Sequence, residues 1–235
     1  MQIKIESKLF ELFPDFVRHV IVAENIDNTG EASELEEMLR QAEQKVRADE
    51  SFADIKTNPY IAAWRDAFQA FGINPNQCPP SMGNLIKRTR SGKDLPFVNK
   101  LVCIFNIASL SYILPAGGDD LDKVTGDVCL GFADGSEIYS PLGGGNTESP
   151  KSGEVILYDT GNKDVFCRAW CWKNGDPSKI EPTTKRVAIN IDMMPPANLE
   201  SAQAAAQRIA ELVEKYCGAE TTVYKLDKNN LTIDL

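Results

Sequence analysis

The chain has 235 residues, a formal net charge of −9, 43% hydrophobic and 25% charged residues, six cysteines and a single histidine. These proportions exclude collagen-like and disordered chains, and the length lets about 70–75% of the unfolded surface be buried without a disulfide staple. The acidic balance speaks against strong non-specific attraction to DNA or RNA, which needs clustered Lys and Arg.

Residues 3–5 read as a short strand and residues 17–23, VRHVIVA, as a longer one, bounded by Pro14 and the turn-like NIDNTG. His19 lies in that strand between Arg18 and Val20, where a packing role outweighs a catalytic one. Ser33 and Glu36 have capping-box spacing, and Leu35, Leu39, Ala42 and Val46 then repeat at helical intervals among charges, as in an amphipathic surface helix. Asn58-Pro59 opens the next helix, whose stripe is Ile61, Trp64, Phe68 and Phe71 and whose stop is Gly72.

After the loop INPNQCPPS, Ser81 is placed to cap a short basic helix ending near Gly92. Lys87, Arg88, Arg90 and Lys93 cluster there, either as a solvated face or as a contact for an RNA phosphate backbone.

The chain is organised around residues 95–127. Apolar side chains fall nearly all round a helix over residues 98–112, which predicts a buried helix stopped by Pro115. Gly117 and Gly118 then predict a turn, with Asp119, Asp120 and Asp122 bringing charge to the buried helix end. Such a place suits a pocket, although the same residues also end ordinary helices. Asn106 favours the pocket, because an amide inside a buried helix must pin a loop or face a polar cavity.

Beyond residue 127 the period changes from helical to alternating. Val128, Leu130 and Phe132, then Ile138 and residues 155–158, 165–172 and 187–191, predict strands. LGGGN at 142–146 lacks the Gly-Lys-Ser/Thr of a phosphate loop and reads as a hairpin connection. Asn198 caps a last helix with Leu199, Ala202, Ala206, Ile209, Val213 and Tyr216 facing inward, and Gly218 ends it before two edge strands. The expected fold class is α+β, with mixed and antiparallel sheets, packed helices, and residues 1–235 in one compact domain of two fused lobes. The longest uncharged run is too short and too polar to span a bilayer, and the N-terminus has no export signal, so a cytoplasmic protein with no membrane partner is expected. Cys167 and Cys171 have no further Cys or His at zinc spacing, so no metal or other cofactor is expected.

The order of motifs carries more than any one of them. Helix, Leu-Pro, Gly-Gly, Asp-Leu-Asp-Lys, strand, Pro-Leu-Gly-Gly, strand, Arg-x-Trp-x-Trp, strand resembles the tRNA-editing domain of the phenylalanyl-tRNA synthetase β subunit, and more closely its freestanding homologues. The resemblance is best over about 93–192 and touches nearly the whole chain. It implies a trans-acting hydrolase of mischarged aminoacyl-tRNA, or a noncatalytic module that binds an amino acid, an aminoacyl-tRNA end or RNA, serving translation fidelity with no DNA partner.

Carried over residue by residue, the resemblance puts Asn106 beside the pocket. Pro115, Asp120, Leu121 and Asp122 fall in the segment Pro-x-His-Ala-Phe-Asp-Leu-Asp, with Gly117 where the family has histidine. The acid that reads the substrate hydroxyl falls at or near Asp176. The glycines that give the family pocket its room fall near Trp170 and Cys171, which implies a smaller pocket bordered by Trp170 and Trp172. The substrate-binding set is therefore Asn106, Gly117, Gly118, Asp120, Trp170, Trp172 and Asp176, and no catalytic residue is assigned.

Overall fold

A computed structural model describes all residues 1–235 and shows an α+β fold with two sheets. The strands are β1 (Gln2–Ile5), β2 (Val17–Glu24), β3 (Ala116–Asp120), β4 (Val128–Phe132), β5 (Val155–Asp159), β6 (Val165–Arg168), β7 (Lys173–Asn174), β8 (Val187–Met193), β9 (Glu220–Leu226) and β10 (Thr232–Asp234). The helices are α1 (Leu9–Leu12), α2 (Ser33–Ala48), α3 (Pro59–Ala70), α4 (Ser81–Arg90), α5 (Lys100–Tyr112) and α6 (Leu199–Cys217).

The first sheet runs β10-β1-β4-β5-β6-β7 and is mixed, because β1 pairs parallel with β4 while the other pairs are antiparallel. The second runs β3-β8-β2-β9 and is wholly antiparallel. One apolar core of 58 buried residues crosses between them, taking in Leu130 and Leu157 of the mixed sheet and Ile21 and Ile191 of the antiparallel one. The expected edge strands are β9 and β10.

Helix α5 is the buried helix read from its pattern, and it packs against α2, α6 and β3. Asn99 caps it by accepting from the Val102 amide at 2.9 Å. Its end differs from expectation. The helix stops at Tyr112, two residues before Pro115 excludes helix from its predecessor, and Ile113 takes the left-handed conformation at φ 56°. A β-branched residue is costly there, and burial of Leu114 and Pro115 holds it.

Four more expectations are corrected. Ser33 is the first residue of α2 and its side chain makes no cap, so the capping box does not form. Ser81 likewise lies inside α4, its amide donating to the Cys171 carbonyl at 2.8 Å. The strand expected over 165–172 breaks after Arg168, where Ala169 and Trp170 both have positive φ. The break rotates Trp170 into the core, edge-on to Phe16 at 4.8 Å and to Trp64 at 5.2 Å between ring centroids. Leu199 is 42% exposed, since it stands at the first, solvent-facing turn of α6.

Candidate functional site

Gly117 and Gly118 do not make a turn. They are the middle of β3, the open edge of the antiparallel sheet, and neither has a positive φ. Their smallness serves space instead. A Cβ on Gly118 would stand 2.6 Å from Cζ of Phe105 and 3.3 Å from the Ala188 carbonyl, so α5 could not lie this close to the strand with any larger residue. A Cβ on Gly117 would come no nearer than 4.0 Å to anything, its neighbour being Oδ1 of Asn190, so this glycine leaves room.

Both glycines also border a cavity of about 450 Å³ between β3, α5, the first turns of α4 and residues 172–180. Phe105, Trp172 and Ile180 give it apolar walls, and Asn106, Asn174 and Ser178 give it polar ones. No hydrogen bond ties the Asn106 amide to the rest of the chain; it faces the cavity. A smaller recess of about 70 Å³ lies behind β3 against Trp170, Cys171 and Asn190, and shares Gly117, Gly118 and Asp119 with the larger one.

Asp119 is the most distinctive group in these walls. It is 7% exposed, and the only hydrogen bond to its carboxyl comes from Ser178, whose Oγ donates to Oδ1 at 2.6 Å. Burial pushes its carboxyl up to about 6, opposed by the Ser178 hydroxyl and by the positive charge of Arg18. The sheet also presents an amide. Pro115 accepts from Asp192 on β8, whereas the Asp120 amide donates away from β8 to the Ser178 carbonyl. Antiparallel alternation therefore turns the Gly118 N–H to the open edge, where the cavity lies.

Of the residues singled out in the sequence, the cavity brings together Asn106, Gly117, Gly118 and Trp172. Trp170 touches only the recess, and its main engagement is structural: Nε1 donates to Oδ2 of Asp192 at 3.0 Å. That carboxylate is itself gripped by Arg18 through Nε at 2.6 Å and Nη2 at 2.7 Å, all three side chains being buried. Asp120 does not line the cavity. Its Oδ1 accepts from the Asp122 amide and its Oδ2 from Thr184 Oγ1 at 2.7 Å, so it anchors the wall rather than forming it. Asp176 also stands outside, paired with Lys179 at 3.2 Å, because the Asp176 amide is bound to Ser140 and its side chain leans to solvent. Asp119 was within reach of sequence reasoning: had GGDD been read as strand, alternation would have put its two aspartates on opposite faces.

The basic cluster divides. Arg90 donates Nη1 to the Arg47 carbonyl at 2.6 Å and closes the end of α2, while Arg88 donates Nε to the Asp94 carbonyl at 3.1 Å. Lys87 and Lys93 are exposed. His19 is buried in β2 with Nδ1 unpartnered, and burial lowers its pKa. No three His, Cys, Asp or Glu side chains gather in a set able to hold a metal ion, and no helix is long and apolar enough to cross a membrane.

The cavity on this α+β scaffold thus combines apolar walls and a glycine-edged strand with the Asn106 amide and the Asp119 carboxyl in its lining. The B3/4 domain model matches residues 63–218, from within α3 to the end of α6, and the chain belongs to that family. The whole cavity lies inside the matched part. Among solved structures the chain is similar to an N-terminal fragment of the phenylalanyl-tRNA synthetase β-subunit from Pyrococcus horikoshii, at 12% identity and a TM-score of 0.45, covering 94% of this chain and 52% of that one. It thus spans about half the length of that fragment. No curated protein matches.

Proposed function

We propose that the cavity receives the amino acid esterified to the 3′ end of a tRNA, and that the chain removes wrongly attached amino acids in trans. The observation that carries this reading is Asp119, a carboxyl held in an apolar-walled cavity with one hydrogen-bonding partner and room beside it at Gly117. Membership of the B3/4 family supports the substrate class. A cavity of about 450 Å³ suits one amino acid, and the Phe105 and Trp172 walls beside Asn174 and Ser178 suit a small side chain with a polar end.

In this reading Asp119 acts on water. A carboxyl with a pKa of about 6 is ionised at neutral pH yet basic enough to take a proton. Water adds to the ester carbonyl carbon and gives its proton to Asp119. The Gly118 N–H and the Asn106 amide hold the developing oxyanion. The bond from carbon to the ribose oxygen then breaks, and that oxygen takes the proton back, leaving a free amino acid and a tRNA hydroxyl.

Deacylation of a panel of mischarged tRNAs tests the proposal. Wild type should hydrolyse one class, and Asp119→Asn should lose about 10²–10⁴-fold in rate while retaining binding, the usual size of a general-base contribution. A second reading, a noncatalytic binder of the aminoacyl end, draws on a specific observation: no imidazole borders the cavity. It predicts binding without turnover by wild type and Asp119→Asn alike.

A further inference from the structure

A second cleft, of about 490 Å³, opens on the other side of the first turns of α4, and Asn84 borders both it and the aminoacyl cavity. Three cations line it: Lys56, from the loop before α3; Arg65, from α3; and Lys87, from α4. None is within salt-bridge distance of a carboxylate. Arg65 is instead oriented by the Pro75 carbonyl and by Oδ1 of Asn76, both at 3.0 Å, which keep its full charge at the cleft. Asp54 is the one acid in the lining, and its Oδ1 is occupied by the Lys56 amide at 3.0 Å.

In a chain of net charge −9, three unpaired cations converging on one cleft are unusual, and they select an anion that is extended and flexible enough to enter. The floor is apolar, from Ile61, Pro79 and Pro80, which offers surface to a base as well as charge to a phosphate. We infer that this cleft holds the single-stranded 3′ end of the tRNA, its phosphates on Lys56, Arg65 and Lys87, and delivers the terminal ester past Asn84 into the cavity. The inference rests on the proposed function for the direction of the strand and on the cleft's own charge for the partner.

The test uses the full chain and a labelled short single-stranded RNA ending in CCA, so that it does not depend on hydrolysis. Both lysines are exposed, and Lys56→Ala/Lys87→Ala should fold as wild type. Removing one cation that neutralises a phosphate of a single strand makes the slope of log K against log salt shallower by about 0.7, so the double variant should bind more weakly and with a slope shallower by about 1.4. The comparison variant Arg88→Ala/Lys93→Ala, which leaves the cleft intact, should change the slope little. A slope unaltered in the cleft variant, a larger loss in the comparison variant, or equal competition by polyglutamate would overturn the assignment. The editing proposal fails separately: RNA bound with the expected slope, but no ester hydrolysed on any mischarged tRNA, leaves the cleft standing and removes the chemistry. With active wild type, the cleft variant should lose kcat/KM on aminoacyl-tRNA while keeping it on aminoacyl-adenosine.

Discussion

Two neighbouring glycines allow a sharp test of how the cavity is built. In Gly118→Ala the new methyl would lie 2.6 and 3.0 Å from the Phe105 ring and 3.3 Å from the Ala188 carbonyl, against a preferred carbon contact of about 3.5–4.0 Å. Phe105 is 6% exposed and cannot swing out freely, and Ala188 belongs to the paired strand β8. Overpacking of this kind costs about 1–3 kcal/mol. At about 2–4 °C per kcal/mol for a chain of this size, the midpoint should fall by about 2–12 °C. Gly117→Ala meets nothing closer than 4.0 Å and needs no unusual φ, so it should leave stability unchanged or raise it by about 0.4–1 kcal/mol by restricting the unfolded chain. Yet its methyl would stand toward Asn190 in the recess that adjoins the cavity and should weaken ligand binding. Thermal unfolding followed by circular dichroism gives both midpoints, and Phe105→Leu in the Gly118→Ala background should recover part of the loss. Equal destabilisation by the two alanines, or no recovery with Phe105→Leu, would refute the steric origin of the glycine pair.

Other expectations concern the charges around this strand. Asp192→Ala leaves Arg18 buried without its partner and should cost about 3–5 kcal/mol in urea unfolding. Trp170→Phe keeps most of the ring packing but loses the bond to that carboxylate, for about 1.5–3 kcal/mol by the same measurement. The Asp119 carboxyl is raised by burial from 3.8 to about 6, so the folded state holds its proton more tightly than the unfolded chain. Its contribution to stability is complete below the unfolded value and is lost as pH rises through about 6; Asp119→Asn should flatten the midpoint-against-pH curve between those values.

The helices and most strands were legible because burial imprints a period on them. Helix α5 is apolar nearly all round and is indeed buried, and Asn58 and Asn198 each cap where an amide at a helix start can accept a backbone N–H. Local chemistry misleads where tertiary contacts decide. Gly-Gly after a helix suggests a turn, but here both glycines are strand residues whose missing side chains admit Phe105 and leave space toward Asn190. Residues 165–172 alternate like a strand, yet the Asp192 carboxylate and the surrounding aromatic rings turn Trp170 inward and break it. The same misreading of the glycines hid Asp119 behind Asp120, since only a strand gives consecutive aspartates opposite faces. The groove cations were invisible as a set, because Lys56, Arg65 and Lys87 come from three segments that only folding assembles.

Single-turnover hydrolysis of mischarged tRNA by wild type and Asp119→Asn, measured across pH, bears most directly on the proposed chemistry. The rate of wild type should rise with pH as Asp119 ionises and level off above about 6, and the Asn variant should be slower by about 10²–10⁴-fold at neutral pH with binding retained. Hydrolysis by the Asn variant at the wild-type rate would contradict the role of Asp119, and absence of hydrolysis by wild type across the full panel would contradict editing itself.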